Sequence, residues 1–114
     1  MKRQVLTDGT GRWFDREKAT RFDEAREWDG RNWVSKATGS QWDHEELYRT
    51  KSGRWIRHWW SQWQGSTDRW EEVTEAEAVR WLLQNDYEPD GGDTGCHQVP
   101  DDERVTSLVL GLEV

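Results

Sequence analysis

Four tryptophans fall within the twelve residues "RWIRHWWSQWQG", Arg54 to Gly65. The whole chain of 114 residues has ten, set against only sixteen isoleucines, leucines and valines. A buried aromatic side chain removes ~150–250 Å² from water. Indoles must therefore supply much of any core between Trp13 and Trp81. Aromatic residues favour strands. "EELYRT" and "RWIRHWWSQW" flank "KSG", and a three-residue connection ending in glycine suits a type I turn closed by a left-handed residue. The spacing predicts a hairpin. Alternation puts Trp55, Arg57, Trp59, Ser61 and Trp63 on one face and Ile56, His58, Trp60, Gln62 and Gln64 on the other. Both faces are aromatic, so alternation does not say which is core. One face is expected inside and the other free for contact. Two-sided aromaticity also fits a sheet covered twice, by a second subunit or a target.

The remaining segments predict an α+β domain: an antiparallel sheet of four to six short strands with one packed helix. "RWFD" and "DRWEEV" read as short strands. Residues 19–28 read as a strand with Phe22 and Trp28 on one face, or as a helix aligning Phe22, Ala25 and Trp28. "DGRNWVSKATGSQWD" reads as a loop anchored by Trp33 and Trp42. Residues 75–86 form the clearest helix. Thr74 and Glu77 make a capping box, and Ala76, Val79 and Leu83 make an apolar stripe with Leu82 beside it. The expected organisation is a tryptophan-rich domain over 1–87, an acidic flexible linker over 88–103, and a strand over 104–114 returning to the sheet.

Charge is divided along the chain. Residues 1–70 carry 14 Lys and Arg against 11 Asp and Glu; residues 71–114 carry 2 against 12, and the net charge is −7. Such a field steers partners more than it shapes a fold. No run of eighteen apolar residues predicts a membrane helix, and "MKRQVLTDGTGRW" has no apolar signal region. A cytoplasmic location is the expectation. Cys96 is the single cysteine, so no internal disulfide forms.

From "ELYRTKSGRWIRHWWSQWQG" through "EAEAVRWLL" the chain resembles a group of small bacterial proteins of unassigned function, often encoded in mobile or phage-derived regions. The shared pattern is LYRT-x-x-G-x-aromatic, a polar turn, then a helix carrying EEA-x-x-WL. The matching residues are Leu47, Tyr48, Arg49, Thr50, Gly53 and Trp55, then Glu77, Ala78, Trp81 and Leu82. The match covers residues 45–85 well and 12–30 loosely. The resemblance implies a small sheet-and-helix module and no reaction. Some similar chains add a ribbon-helix-helix segment; "RVTSLVL" echoes its strand without the helices.

The chemistry-bearing residues favour binding over catalysis. His44, His58 and His97 lack paired ligand spacing, and no nucleophile motif or phosphate loop is present. Asp43, Glu45 and Glu46 beside His44 could make an acid–base cluster, but a solvated loop is the simpler reading. No enzyme activity, metal or cofactor is implied. Two surfaces remain. Glu71, Glu72, Glu75, Glu77, Asp86 and Glu88 form an acidic surface able to occupy a basic groove. With the mobile-element resemblance, this suggests a non-catalytic protein-binding module acting as an inhibitor of a nucleic-acid-handling host defence complex, an anti-CRISPR-like role. The bland alternative is that the acids keep a tryptophan-rich chain soluble. Arg49, Lys51, Arg54 and Arg57 with Trp55 and Trp59 form the second surface. It suits a partner or, alternatively, single-stranded nucleic acid, whose bases stack on aromatic rings. An oligomer is left open.

Overall fold

The structure is a computed structural model that describes residues 1–87, 100 and 102–114. It is an α+β fold of eight short strands in antiparallel sheets with two helices. The predicted hairpin lies at its centre. Strand β6 (Asp43–Arg49) pairs with β7 (Trp55–Ser61), Leu47 opposite Arg57. Gly53 closes the turn at φ 87°, a conformation that costs glycine little. Strands β3 (Thr20–Asp23) and β8 (Arg69–Val73) flank them, giving the order β3-β6-β7-β8. Two separate ribbons complete the strand set: β1 (Arg3–Val5) with β2 (Trp13–Asp15), and β4 (Arg26–Trp28) with β5 (Trp33–Ser35).

Helix α1 (Glu75–Gln84) starts where predicted. Thr74 accepts the Glu77 N–H at 3.1 Å and donates its hydroxyl to the Glu77 carboxylate. Its buried face is Ala78, Val79, Trp81 and Leu82, turned from the predicted stripe, for Ala76 is exposed. The Trp81 indole sets this rotation by donating to Glu45 at 2.9 Å.

The carboxy-terminal segment overturns the strand expectation. Residues 103–112 are helix α2 (Glu103–Leu112), so the domain has two helices rather than one. Strand propensity suggested the wrong period. Val105, Leu108, Val109 and Leu112 follow helical spacing, and Asp102 caps the helix by accepting the Arg104 N–H at 2.8 Å. Val105 and Val109 are buried beside α1. Of the expected linker, 88–99 and 101 lie outside the described residues.

Both sheet faces are covered by the chain itself. On one face Phe22, Leu47 and Trp55 pack with Val79, Leu82 and Val105 of the helices. On the other, Tyr48, Ile56 and Trp70 pack with Leu6 and Phe14 of the β1–β2 ribbon. The expectation of one free face is thus corrected, and no second subunit is needed to bury either.

Residues 19–28 are not one element. The chain breaks at Glu24 and Ala25 because both are held from the side. The Asn85 amide oxygen accepts the Ala25 N–H, and Glu24 turns inward. Phe22 stays buried while Trp28 is exposed. The predicted loop after it contains β5, and Trp33 and Trp42 are exposed rather than anchors.

Candidate functional site

Strand alternation separates the residues that sequence placed together at the hairpin. Trp55, Arg57 and Trp59 point to the helix side. Trp55 is 2% exposed, so it is no stacking platform. Its indole N–H is buried without a partner among the described residues. The Arg49 guanidinium lies 5.0 Å from its ring centre and binds the Asp102 carboxylate. That residue braces β6 against α2. Arg57 reaches Glu71 at 3.5 Å and Glu45 at 4.0 Å. Arg69 stacks over Trp59 at 4.6 Å. Only Lys51 and Arg54 stay open near the turn.

The acidic set is divided too. Glu71 and Glu72 are neighbours on β8 and therefore face opposite sides. Glu72 receives Arg12 at 2.6 Å and Arg54 at 3.4 Å. Glu75 lies 3.8 Å from Arg104, Asp86 binds Lys36 at 2.9 Å, and Glu77 serves the α1 cap. Five of the six acids thus have intramolecular roles; Glu88 lies outside the described residues. The expected single acidic surface is a set of ion pairs on several elements.

Two histidine clusters escaped sequence reading. His58 stacks on Trp70 at 3.7 Å and 9°, and on Trp60 at 4.8 Å. Its Nδ1 lies 2.8 Å from Glu46 and its Nε2 lies 2.8 Å from Asp68. Both ring nitrogens thus face carboxylate oxygens. Tyr48 donates to Glu46 at 2.9 Å. Burial and this contact push its phenol up to about 12. For Glu46, burial pushes the carboxyl up, but the bonds from His58 and Tyr48 outweigh it, and the net shift is downward. On the other side of β6, burial of Glu45 outweighs Trp81 and Arg57 and raises its carboxyl.

His44 is not a solvated loop residue beside acidic neighbours. It is buried, and Nδ1 lies 2.7 Å from Glu24. Glu24 also accepts the Ser35 hydroxyl at 2.8 Å and the Glu45 N–H at 2.7 Å. A single carboxylate so ties β5 and β6 together, and nothing in its local sequence marks it. His44 Nε2 is buried without a partner among the described residues. The Glu24–His44 pair has the composition of an acid–base dyad but is closed from solvent, which suits a brace. Among the described residues no group of three or more His, Cys, Asp or Glu is placed to hold a metal ion.

The open ground lies elsewhere. A groove of about 970 Å³ runs between the β1–β2 ribbon and the β6–β7 turn. Leu6, Phe14 and Ile56 form its floor, Trp13 a wall, and Lys18 and Lys51 part of its rim. At the opposite end of the β6–β7 hairpin, Trp42 and Trp63 pair at 5.2 Å with 41% and 61% exposure. Trp28 and Trp33 pair edge-on at 5.7 Å on the β4–β5 ribbon and are equally open. Among the described residues no helix is long and apolar enough to cross a membrane. No protein-family model, no curated protein and no solved structure matches this chain.

Proposed function

We propose that the protein is a non-catalytic protein-binding module acting in the cytoplasm through its exposed indole pairs. The observation that carries this reading is that Trp28–Trp33 and Trp42–Trp63 belong to neither core yet remain in water. Tryptophan is the residue most enriched at binding hot spots, and exposed apolar patches mark contact sites. The test is capture of a partner from cells that make the protein. Trp28→Ala with Trp33→Ala, and separately Trp42→Ala with Trp63→Ala, should abolish capture by at least one pair while the melting temperature stays near wild type. Capture unchanged in both double variants would sink the reading.

A finer form of the proposal is inhibition of a nucleic-acid-handling defence complex, as in an anti-CRISPR-like protein. The uneven charge supports it, with 12 carboxylates against 2 cations after residue 70. Glu71 and Glu75 are the side chains to reverse: Glu71 meets Arg57 at 3.5 Å and Glu75 meets Arg104 at 3.8 Å, longer contacts than the 2.6 Å pair of Glu72 with Arg12. Co-expression should lift interference in cells carrying such a complex, and Glu71→Lys with Glu75→Lys should weaken that effect. The alternative is single-stranded nucleic-acid binding through the hairpin residues Arg49, Lys51, Arg54, Arg57, Trp55 and Trp59; burial of Trp55 in the helix-side core weighs against it.

A further inference from the structure

The groove between the β1–β2 ribbon and the β6–β7 turn has properties that neither core needs. Its volume, about 970 Å³, lies at the upper end of the range for small-molecule sites. Three buried apolar side chains, Leu6, Phe14 and Ile56, reach its floor. Trp13 stands at its wall half exposed, held by the Arg3 guanidinium 5.0 Å from its ring centre. Flat apolar surface beside a fixed indole favours a planar ring.

The charge of the lining is opposite to that of the protein. Four cations, Arg12, Lys18, Lys51 and Arg54, line the groove against two carboxylates, Asp15 and Glu72. The Asp15 carboxylate accepts the backbone N–H groups of Lys2 and Glu17. Glu72 is shared by two guanidiniums. Lys18 and Lys51 have no carboxylate within ion-pair distance among the described residues. A chain of net charge −7 therefore keeps a cationic recess with an aromatic wall. An anion drawn there exchanges bulk water for two ammonium groups that make no close ion pair, although Lys18 lies near enough to Asp15 to help lower its carboxyl, and the acidic charge of the rest of the chain sharpens the contrast.

We infer that this groove binds a planar aromatic anion of nucleoside-monophosphate size, with its ring on Trp13 and the apolar floor and its anionic group on Lys18 and Lys51. The site is independent of the protein-binding surface. It lies at the turn end of the β6–β7 hairpin, whereas Trp42 and Trp63 flank the open end.

The test is calorimetric titration of the full chain at low salt with adenosine monophosphate, read in parallel through the Trp13 indole N–H resonance. Adenosine monophosphate should bind with a dissociation constant below ~1 mM and move that resonance. Adenosine alone and inorganic phosphate alone should each bind at least ~10-fold more weakly, because each offers one half of the recognition. Lys18→Ala with Lys51→Ala should weaken binding at least ~10-fold, with a further loss as salt screens the site. Trp13→Ala should do the same; were that variant to lose a folded spectrum, the exposed lysine pair alone decides. Failure to bind adenosine monophosphate at several times that concentration overturns the inference, as does binding indifferent to the lysine pair. Phosphate alone binding equally well would leave an anion site without a ring subsite and overturn it too. A single-stranded hexanucleotide that binds where the mononucleotide does not would replace the small ligand with nucleic acid. None of these outcomes depends on whether the indole pairs capture a protein.

Discussion

The two faces of the four-stranded sheet bury their surface by different chemistry. Toward the helices, Leu47, Val79, Leu82 and Val105 are fully buried, and the aromatic rings Phe22, Trp55 and Tyr87 pack among them. Toward the β1–β2 ribbon the contacts form a row of rings. His44, Trp60, His58, Trp70, Tyr48 and Phe14 follow one another at centre distances of 5.6, 4.8, 3.7, 5.7 and 5.5 Å. Two of these six rings are imidazoles braced by carboxylates. A chain poor in aliphatics evidently concentrates them under the helices. It closes the second face with flat groups that stack and hydrogen-bond at their edges. The first face depends on volume, the second on satisfied polar contacts.

That contrast is broken most directly by removing volume from the helix side. Leu82 is fully buried in α1. Leu82→Ala should cost about 2–5 kcal/mol, as buried leucine truncations do, measured by urea unfolding at neutral pH. The same experiment on Leu6, buried on the ribbon side, should cost less, since the groove lets that site relax. Equal losses would mean that the two faces respond to lost volume alike.

The ribbon side should instead be sensitive to lost polarity. His58→Gln keeps an N–H donor group but removes the flat ring between Trp60, Trp70, Glu46 and Asp68. A buried acceptor left without its partner costs about 1–3 kcal/mol. We expect a loss in that range, and a His58→Phe variant to be no better, although Phe restores the stacking. Recovery of wild-type stability in His58→Phe would show that ring area alone matters.

How much of this was legible follows the same division. The hairpin, its Gly53 turn and the start of α1 were readable because each rests on neighbours in sequence: a turn residue at a fixed offset, a cap three residues from its acid. The helical spacing of Val105, Leu108 and Val109 was equally present, but β-branched composition hid it. The aromatic alternation of β7 could not assign its sides, since the covering elements lie far away, at Leu6 and Phe14 on one side and Val79 and Leu82 on the other. The open groove and the Glu24 and His58 clusters were illegible for a related reason. Glu24 meets His44 twenty residues on, and Trp13 and Lys51 come to line one groove only after the ribbon folds over the sheet. The ion pairs of the acidic residues were illegible as well, because counting carboxylates does not reveal which arginine each will meet.

The smallest effects carry the sharpest sign. Glu45 and Glu46 are consecutive on β6 and so belong to opposite faces. Burial raises the Glu45 carboxyl above its ordinary 4.5. The folded state then holds its proton more tightly than the unfolded chain does, so stability falls as pH rises from 4.5 through the folded value. At neutral pH the ionised group is a net cost. Glu45→Gln keeps an acceptor for Trp81 and should raise the melting temperature at pH 7. Glu46 is shifted below 4.5 by His58 and Tyr48 against the opposing pull of burial. Its contribution is complete above 4.5 and fades as pH falls through the lower folded value. Glu46→Gln should therefore lower the melting temperature at pH 7 and flatten its decline below 4.5. Melting curves of both variants between pH 3 and 8 decide the matter. Shifts of the same sign at neutral pH would remove the electrostatic difference between the faces, because one residue of register is all that separates a carboxylate that burial penalises from one that its partners hold ionised.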